Sequence, residues 1–195
     1  MKLLKSLGLL LVVVGLVVVA SVIWELWGTD VVSNAENDRQ ISQVEQQWSQ
    51  NSPDSQTKLT KNKTVLIKIP RFGPDYKWVV REGTETDILK RGPGHYIDSG
   101  VLGEPGNYAI AGHRTTYGAP FNKLDQLKKG DEIQLETWDS IYIYTVTGKS
   151  VVDPTDGFVL EATKDATITL TTCHPEFSSR ERLIVKGTLK EILNK

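Results

Sequence analysis

The sequence is poor in cysteine: among its 195 residues only Cys173 carries a thiol. A single cysteine excludes an internal disulfide. It leaves either a pairing site for another chain or a reactive group. Neither sign of charge is in excess, since 23 Lys and Arg stand against 24 Asp and Glu. That balance provides no basic footprint, so no nucleic-acid partner is expected. No internal repeat is present. The length suits one domain with appendages and is too short for two comfortable domains.

The apolar residues, 39% of the chain, are concentrated at the N-terminus. After Lys2 and Lys5, Ser6 to Trp24 carries no charge and is dominated by Leu, Val and Ile. A bilayer's hydrocarbon core takes roughly 20 such residues as a helix. Lysines before the run, with Glu25 and Asp30 after it, predict a single-pass anchor over residues 6–27 in contact with membrane lipid. Residues 1–5 would be cytoplasmic and the remainder outside the cell membrane. Trp24 and Trp27 suit the outer interfacial belt. The competing reading is a cleaved signal peptide ending near Val18-Val19-Ala20. The run is longer than the usual apolar core of roughly 7–15 residues and continues through Val22, Ile23 and Trp24, which favours the anchor. Both readings make Cys173 an extracytoplasmic free thiol.

Residues 28–63 read as a polar stalk. Ile41, Val44 and Trp48 fall at helical spacing, so Glu36 to Gln50 could form a short amphipathic helix ended by Ser52-Pro53-Asp54-Ser55. A flexible linker is the favoured alternative.

Residues 64–195 form the folded domain. Val65 to Ile69, Trp78 to Val80 and Asn107 to Ala111 read as strands, and Thr84 is placed to cap a short helix over Glu85 to Lys90. Pro120 to Lys128 suits another short helix stopped by Gly130. Glu132 to Trp138 and Ile141 to Thr147, joined at Asp139-Ser140, read as a hairpin. A long loop follows, marked by Asp153-Pro154 and Asp156-Gly157. Ala166 to Thr172 and Arg182 to Gly187 are the last strands. The pattern predicts a mainly β domain, a largely antiparallel barrel or sandwich.

Cys173 ends the Ala166–Thr172 strand beside Pro175, which blocks continuation of the ladder. A thiol with an ordinary pKa is only a few per cent thiolate at neutral pH, so a nucleophilic role needs a cationic neighbour. His113, after Gly112 at a strand end, could pair with the thiolate and protonate a leaving amine. His174 is adjacent in sequence, and alternation along a strand turns it to the opposite face. His95, in a Gly-Pro-Gly turn, reads alone as a surface histidine. Arg182 opens the next strand, and antiparallel pairing would return it beside Cys173 as an oxyanion donor. Arg180 is the near alternative, placed by Ser178 and Ser179 in the turn. A buried structural thiol is the plainer reading of Cys173.

Thr169-Leu170-Thr171-Thr172-Cys173 resembles the TLxTC signature of sortases, the cysteine transpeptidases of mainly Gram-positive cell surfaces. Ala111-Gly112-His113-Arg114 resembles their histidine segment and Arg182-Leu183-Ile184-Val185 their arginine strand. Gly92-Pro93-Gly94-His95-Tyr96, Gly112 to Phe121 and Cys173-His174-Pro175 look like class E. The similarity runs from about Val65 to Leu189.

The resemblance implies an eight-stranded sortase β-barrel with short helices. It makes Cys173 the nucleophile, His113 the general acid/base and Arg182 the oxyanion stabiliser. The reaction it implies cleaves a C-terminal sorting signal of surface proteins between Thr and Gly, through a thioacyl enzyme. The acyl group then passes to an amine of a peptidoglycan precursor or pilin subunit. Neither metal nor organic cofactor is implied. Class E is associated with LAxTG rather than LPxTG signals, and Tyr96 matches the tyrosine tied to that choice. Its phenol could bond a backbone N–H that proline lacks. Tyr96 and Thr172 are the implied substrate-binding positions. The chain departs from the pattern at Ile97-Asp98-Ser99-Gly100, where a Pro-Gly stretch is expected. The loop from Asp153 to Asp165 would wall the groove, and its acidic turn residues lack the glutamate-rich arrangement of calcium-dependent relatives.

Two alternatives remain from the residues. An L,D-transpeptidase-like enzyme would carry a Ser-His-Gly-Cys core, whereas Cys173 follows Thr-Thr. A surface-anchored, non-catalytic β-domain that binds or builds would leave Cys173 inert.

Overall fold

The computed structural model describes residues 2–24, 28–50 and 64–195. Glu25 and Trp27, assigned above to the flank of the anchor, and the Ser52–Ser55 stop lie outside the described residues.

Helix α1 spans Lys2–Ile23. Within it, Lys5–Ile23 is long and apolar enough to cross a membrane, and none of that span is buried against the protein. Trp24 is likewise exposed.

Helix α2 spans Thr29–Gln50, so the polar stretch is helical well before Glu36. It is also docked rather than free. The Asn37 amide donates to the Lys77 carbonyl at 3.0 Å and accepts the Val79 N–H at 3.1 Å. Asn37 thereby occupies the unpaired backbone of an adjacent strand and is buried. Gln40 meets the Arg81 guanidinium at 2.5 Å, and Glu45 pairs with Lys77. Ile41, Val44 and Trp48 are half-buried, and Lys195 Nζ sits 4.3 Å above the Trp48 ring.

Eight strands close a barrel: β1 (Val65–Lys68), β2 (Lys77–Glu82), β3 (Gly94–His95), β4 (Gly106–Ala111), β5 (Glu132–Glu136), β6 (Ser140–Val152), β7 (Ala166–His174) and β8 (Glu181–Asn194). Their order is β1-β2-β3-β4-β7-β8-β6-β5, and β5 pairs with β1 to complete the ring. Closure gives every strand a neighbour on both sides, and Asn37 takes up the stretch of β2 beyond its short pairing with β3. Most pairs are antiparallel, but β2–β3 and β4–β7 are parallel.

The core follows the two-residue period of a strand. Ile67 and Ile69, Trp78 and Val80, Tyr108 and Ile110, Ile133 and Leu135, Ile168 and Leu170, and Leu183 and Val185 all point inward. Burying each aliphatic side chain contributes roughly 1.5–3 kcal/mol.

Several expected boundaries move. The short helix α3 covers Thr86–Leu89, and Glu85 rather than Thr84 precedes it, without a side-chain cap. Pro120 to Lys128 is not a helix, since only a 3₁₀ turn over Leu124–Gln126 forms. Phe121, Leu124 and Leu127 are buried at three-residue spacing, which fits a 3₁₀ turn better than an α-helix. The last strand continues past Gly187 to Asn194, because its far half pairs with Ser140–Thr145 of β6, while its first half pairs with an extension of β6 to Val152.

Candidate active site

The candidate site is on the outer face of the barrel. Along β7, Ile168 and Leu170 point inward, so Thr169, Thr171 and Cys173 share the outer face. Ala109 and Ala111 of β4 stand opposite Thr169 and Thr171. Small side chains therefore line this face, and Ala109 and Thr169 are fully buried on it. The loop after β6 lies over this face. Asn107, buried under it, donates to the Val159 carbonyl at 2.9 Å and accepts from the Thr169 hydroxyl at 2.7 Å. A cavity of about 270 Å³ opens beside Glu85, Tyr96 and Leu160.

Cys173 and Arg182 are directly opposed in the β7–β8 register. Cys173 is a half-buried free thiol. Arg182 is held at the turn by its Nη1, which donates to the Ser179 and Glu181 carbonyls at 3.1 Å each. A guanidinium has five donors, so this anchorage leaves Nε and Nη2 for a developing oxyanion.

His113 arrives from β4. The parallel register pairs Ala111 with Thr171, and Gly112 N–H continues it by donating to Thr171 O at 3.1 Å. His113 is thus carried to the level of Cys173. Gly112 has no left-handed conformation, so its role is not to let the chain turn. A Cβ there would meet the Phe121 ring at 2.7 Å, and the glycine permits close packing instead. Phe121 N–H returns to the His113 carbonyl at 3.0 Å and closes the loop. Burial holds the His113 imidazole below the usual histidine range, and the Lys90 ammonium adds to the depression. His113 Nε2 is buried without a hydrogen-bond partner. The Tyr117 ring packs against the imidazole at 5.0 Å.

Tyr96 follows β3 and its N–H donates to the Ala109 carbonyl at 3.0 Å. Burial raises its phenol above the usual tyrosine range. The Arg182 charge opposes that rise and Cys173 adds to it, so the half-buried phenol lies within the electrostatic reach of both. Ser99 shapes the divergent loop by donating to the Tyr96 carbonyl at 2.7 Å and accepting the Ala109 N–H at 3.1 Å.

Thr172 is not on this outer face. It is buried and donates its hydroxyl to the Gly112 carbonyl at 2.7 Å, tying β7 to the strand that delivers His113. Its inward position on β7 differs from the outer face on which Cys173 lies. His95 is not at the surface either. It is buried, stacked on Tyr108 at 4.0 Å, and bonded through Nδ1 to Glu82 and through Nε2 to Ser99.

His174 turns away from Cys173, and its Nδ1 meets Arg114 Nη1 at 2.8 Å. Arginine only donates, so this nitrogen accepts. Arg114, which the sequence does not single out, is buried. It contacts the Cys173 carbonyl at 3.4 Å, Asp125 at 3.2 Å and Glu176 at 3.6 Å. Only its position after His113 hints at this role. Among the described residues, no group of three or more His, Cys, Asp or Glu side chains is arranged to hold a metal ion.

A free thiol, an imidazole and a guanidinium brought to one level of neighbouring strands can perform acyl transfer. Comparison with known proteins agrees. Residues 67–190 match the sortase domain. The chain is 34% identical to sortase SrtE2 of Streptomyces coelicolor, across 94% of this chain and 80% of that protein. It is 30% identical to sortase SrtE1 of the same organism across 96% of this chain, and spans only 57% of that longer relative. The solved structure of sortase E from Streptomyces avermitilis superposes with a TM-score of 0.63 at 38% identity, covering 68% of this chain and 90% of that one. The expected barrel and the motif segments thus lead to one conclusion: the chain belongs to the sortase family of cysteine transpeptidases.

Proposed function

We propose that the chain is a single-pass membrane sortase of class E type. In this reading α1 is the anchor, with its lysine-flanked end cytoplasmic and the barrel outside. The observation that carries the catalytic reading is the direct pairing of Cys173 with Arg182 at the strand level reached by His113.

The Cys173 thiolate attacks the Thr carbonyl carbon of a bound sorting signal, and the carbonyl π electrons move to oxygen. Arg182 donors stabilise that oxyanion. As the carbonyl re-forms, the Thr–Gly C–N bond breaks and the His113 imidazolium protonates the departing glycine amine. The thioacyl enzyme remains. A primary amine of a peptidoglycan precursor or pilin subunit then attacks the thioester, gives its proton to His113 and releases the Cys173 thiolate. An LAxTG-like signal is the favoured substrate, supported by the sortase E relatives and by Tyr96, whose phenol feels the charges of Arg182 and Cys173.

A fluorogenic LAxTG peptide with and without added amine tests this reading. Thiol-dependent cleavage, amine-dependent ligation and a silent Cys173→Ala variant are expected. Absence of thiol-dependent turnover on both LAxTG and LPxTG peptides contradicts it, and favours a non-catalytic β-domain.

A further inference from the structure

Helix α2 precedes the matched sortase region, yet its side chains reach two segments that border His113. Ser33, buried, donates its hydroxyl to the Lys90 carbonyl at 3.0 Å. Asp30 Oδ1 accepts the Gly118 N–H at 2.7 Å. Gly118 is the centre of an unusual turn, with φ of 54° at Tyr117, 78° at Gly118 and 44° at Ala119. Non-glycine residues persist in the left-handed region only where the surroundings over-determine them. Within the loop, Ala119 N–H reaches the Thr116 carbonyl at 3.0 Å. The remaining fastening of the central amide comes from α2.

We propose that Asp30 is a positioning residue for His113. By accepting the Gly118 amide it fixes the 117–119 turn and holds the Tyr117 ring against the imidazole. This proposal rests on the reading of His113 as general acid, and extends the machinery to a residue outside the sortase domain. Asn37 secures the helix two turns further on by bonding β2 through both ends of its amide. The site is thereby coupled to the segment that follows α1.

The structure gives the chemistry of the coupling. Tyr117 covers His113, and loosening the turn admits water to a ring whose basicity is set mainly by burial. The other ionisable groups brought to this end are Lys90 after α3, Cys173 on β7, Arg182 on β8 and Asp30 itself on α2. Asp30→Ala removes both the acceptor and its charge, whereas Asp30→Asn keeps an acceptor oxygen and removes only the charge.

The test uses the full chain in detergent micelles. Histidine ring NMR, assigned with His113→Gln, titrates His113 without substrate, and peptide kinetics are measured in parallel. Asp30→Ala should lower kcat about tenfold at nearly unchanged KM, as expected for a displaced catalytic group, and should move the His113 titration upward. Asp30→Asn should restore both. Tyr117→Leu, which leaves α2 intact, should reproduce the titration shift even if Asp30→Ala does not fold. An unmoved His113 titration in Asp30→Ala or Tyr117→Leu overturns the proposal, as does equal loss in Asp30→Asn. The NMR arm needs no turnover, so failure of the transpeptidase reading is seen separately in wild-type kinetics.

Discussion

Cys173 and Arg182 face one another across β7 and β8, with the guanidinium pinned to the turn through a single nitrogen. The pairing makes electrostatic support of the oxyanion a property of strand register. Arg182→Ala should therefore lower kcat by about 10²–10³-fold with little change in KM, as removal of an oxyanion donor does elsewhere. Arg182→Lys should recover only part of the loss, because an ammonium lacks the planar fork. Steady-state kinetics on a sorting peptide checks both, with thermal melts to confirm folding.

The His113 environment predicts where the limb of the pH–rate profile set by His113 should fall. Burial and the Lys90 charge both disfavour the imidazolium, so this limb should lie below the ordinary histidine value of about 6.5. Lys90→Gln removes the repelling charge and should move the limb upward. The burial contribution remains, so the limb should stay below the ordinary value. A profile of kcat/KM against pH for wild type and variant gives the comparison.

Tyr96→Phe retains the ring and removes the hydroxyl on which Arg182 and Cys173 act electrostatically. If the phenol bonds a substrate amide, its loss should cost about 0.5–1.5 kcal/mol on LAxTG and little on LPxTG. The ratio of the two kcat/KM values should fall by up to about tenfold. An unchanged ratio removes the proposed hydrogen bond.

Thr172→Val keeps the shape and deletes the donor to the Gly112 carbonyl. A buried acceptor left unsatisfied costs about 1–3 kcal/mol, so the melting temperature should drop. Substrate KM should hold, because the side chain points into the barrel. A raised KM at unchanged stability would place Thr172 at the substrate site.

Much of the barrel is legible in the sequence because strand alternation and core packing share one period. Ile67 and Ile69, Ile133 and Leu135, and Ile168 and Leu170 identify their inner faces without further information. The same alternation separates Cys173 from His174. Applied one residue earlier it also places Thr172 inside. Parallel pairing of β4 with β7 is not legible, since its partners are distant in the chain and no local turn encodes the match.

The docking of α2 escapes sequence reading for a different reason. Its first contact residues Asp30, Ser33, Asn37 and Gln40 recur at helical spacing but are polar, so the apolar set Ile41, Val44 and Trp48 marks only the second half of that face. Three of the polar residues bond backbone groups whose availability depends on the finished barrel. His95 is similar: its burial follows from stacking on Tyr108 of β4, a contact that only the β3–β4 pairing creates.

Direct observation of the acyl enzyme tests the central claim most closely. Full-length protein mixed with an LAxTG peptide and no amine, then quenched in acid, should show one mass increment on Cys173 for the peptide up to its threonine. Added amine should discharge that adduct as ligated product. Turnover without an adduct, or product formed by Cys173→Ala, would contradict the account.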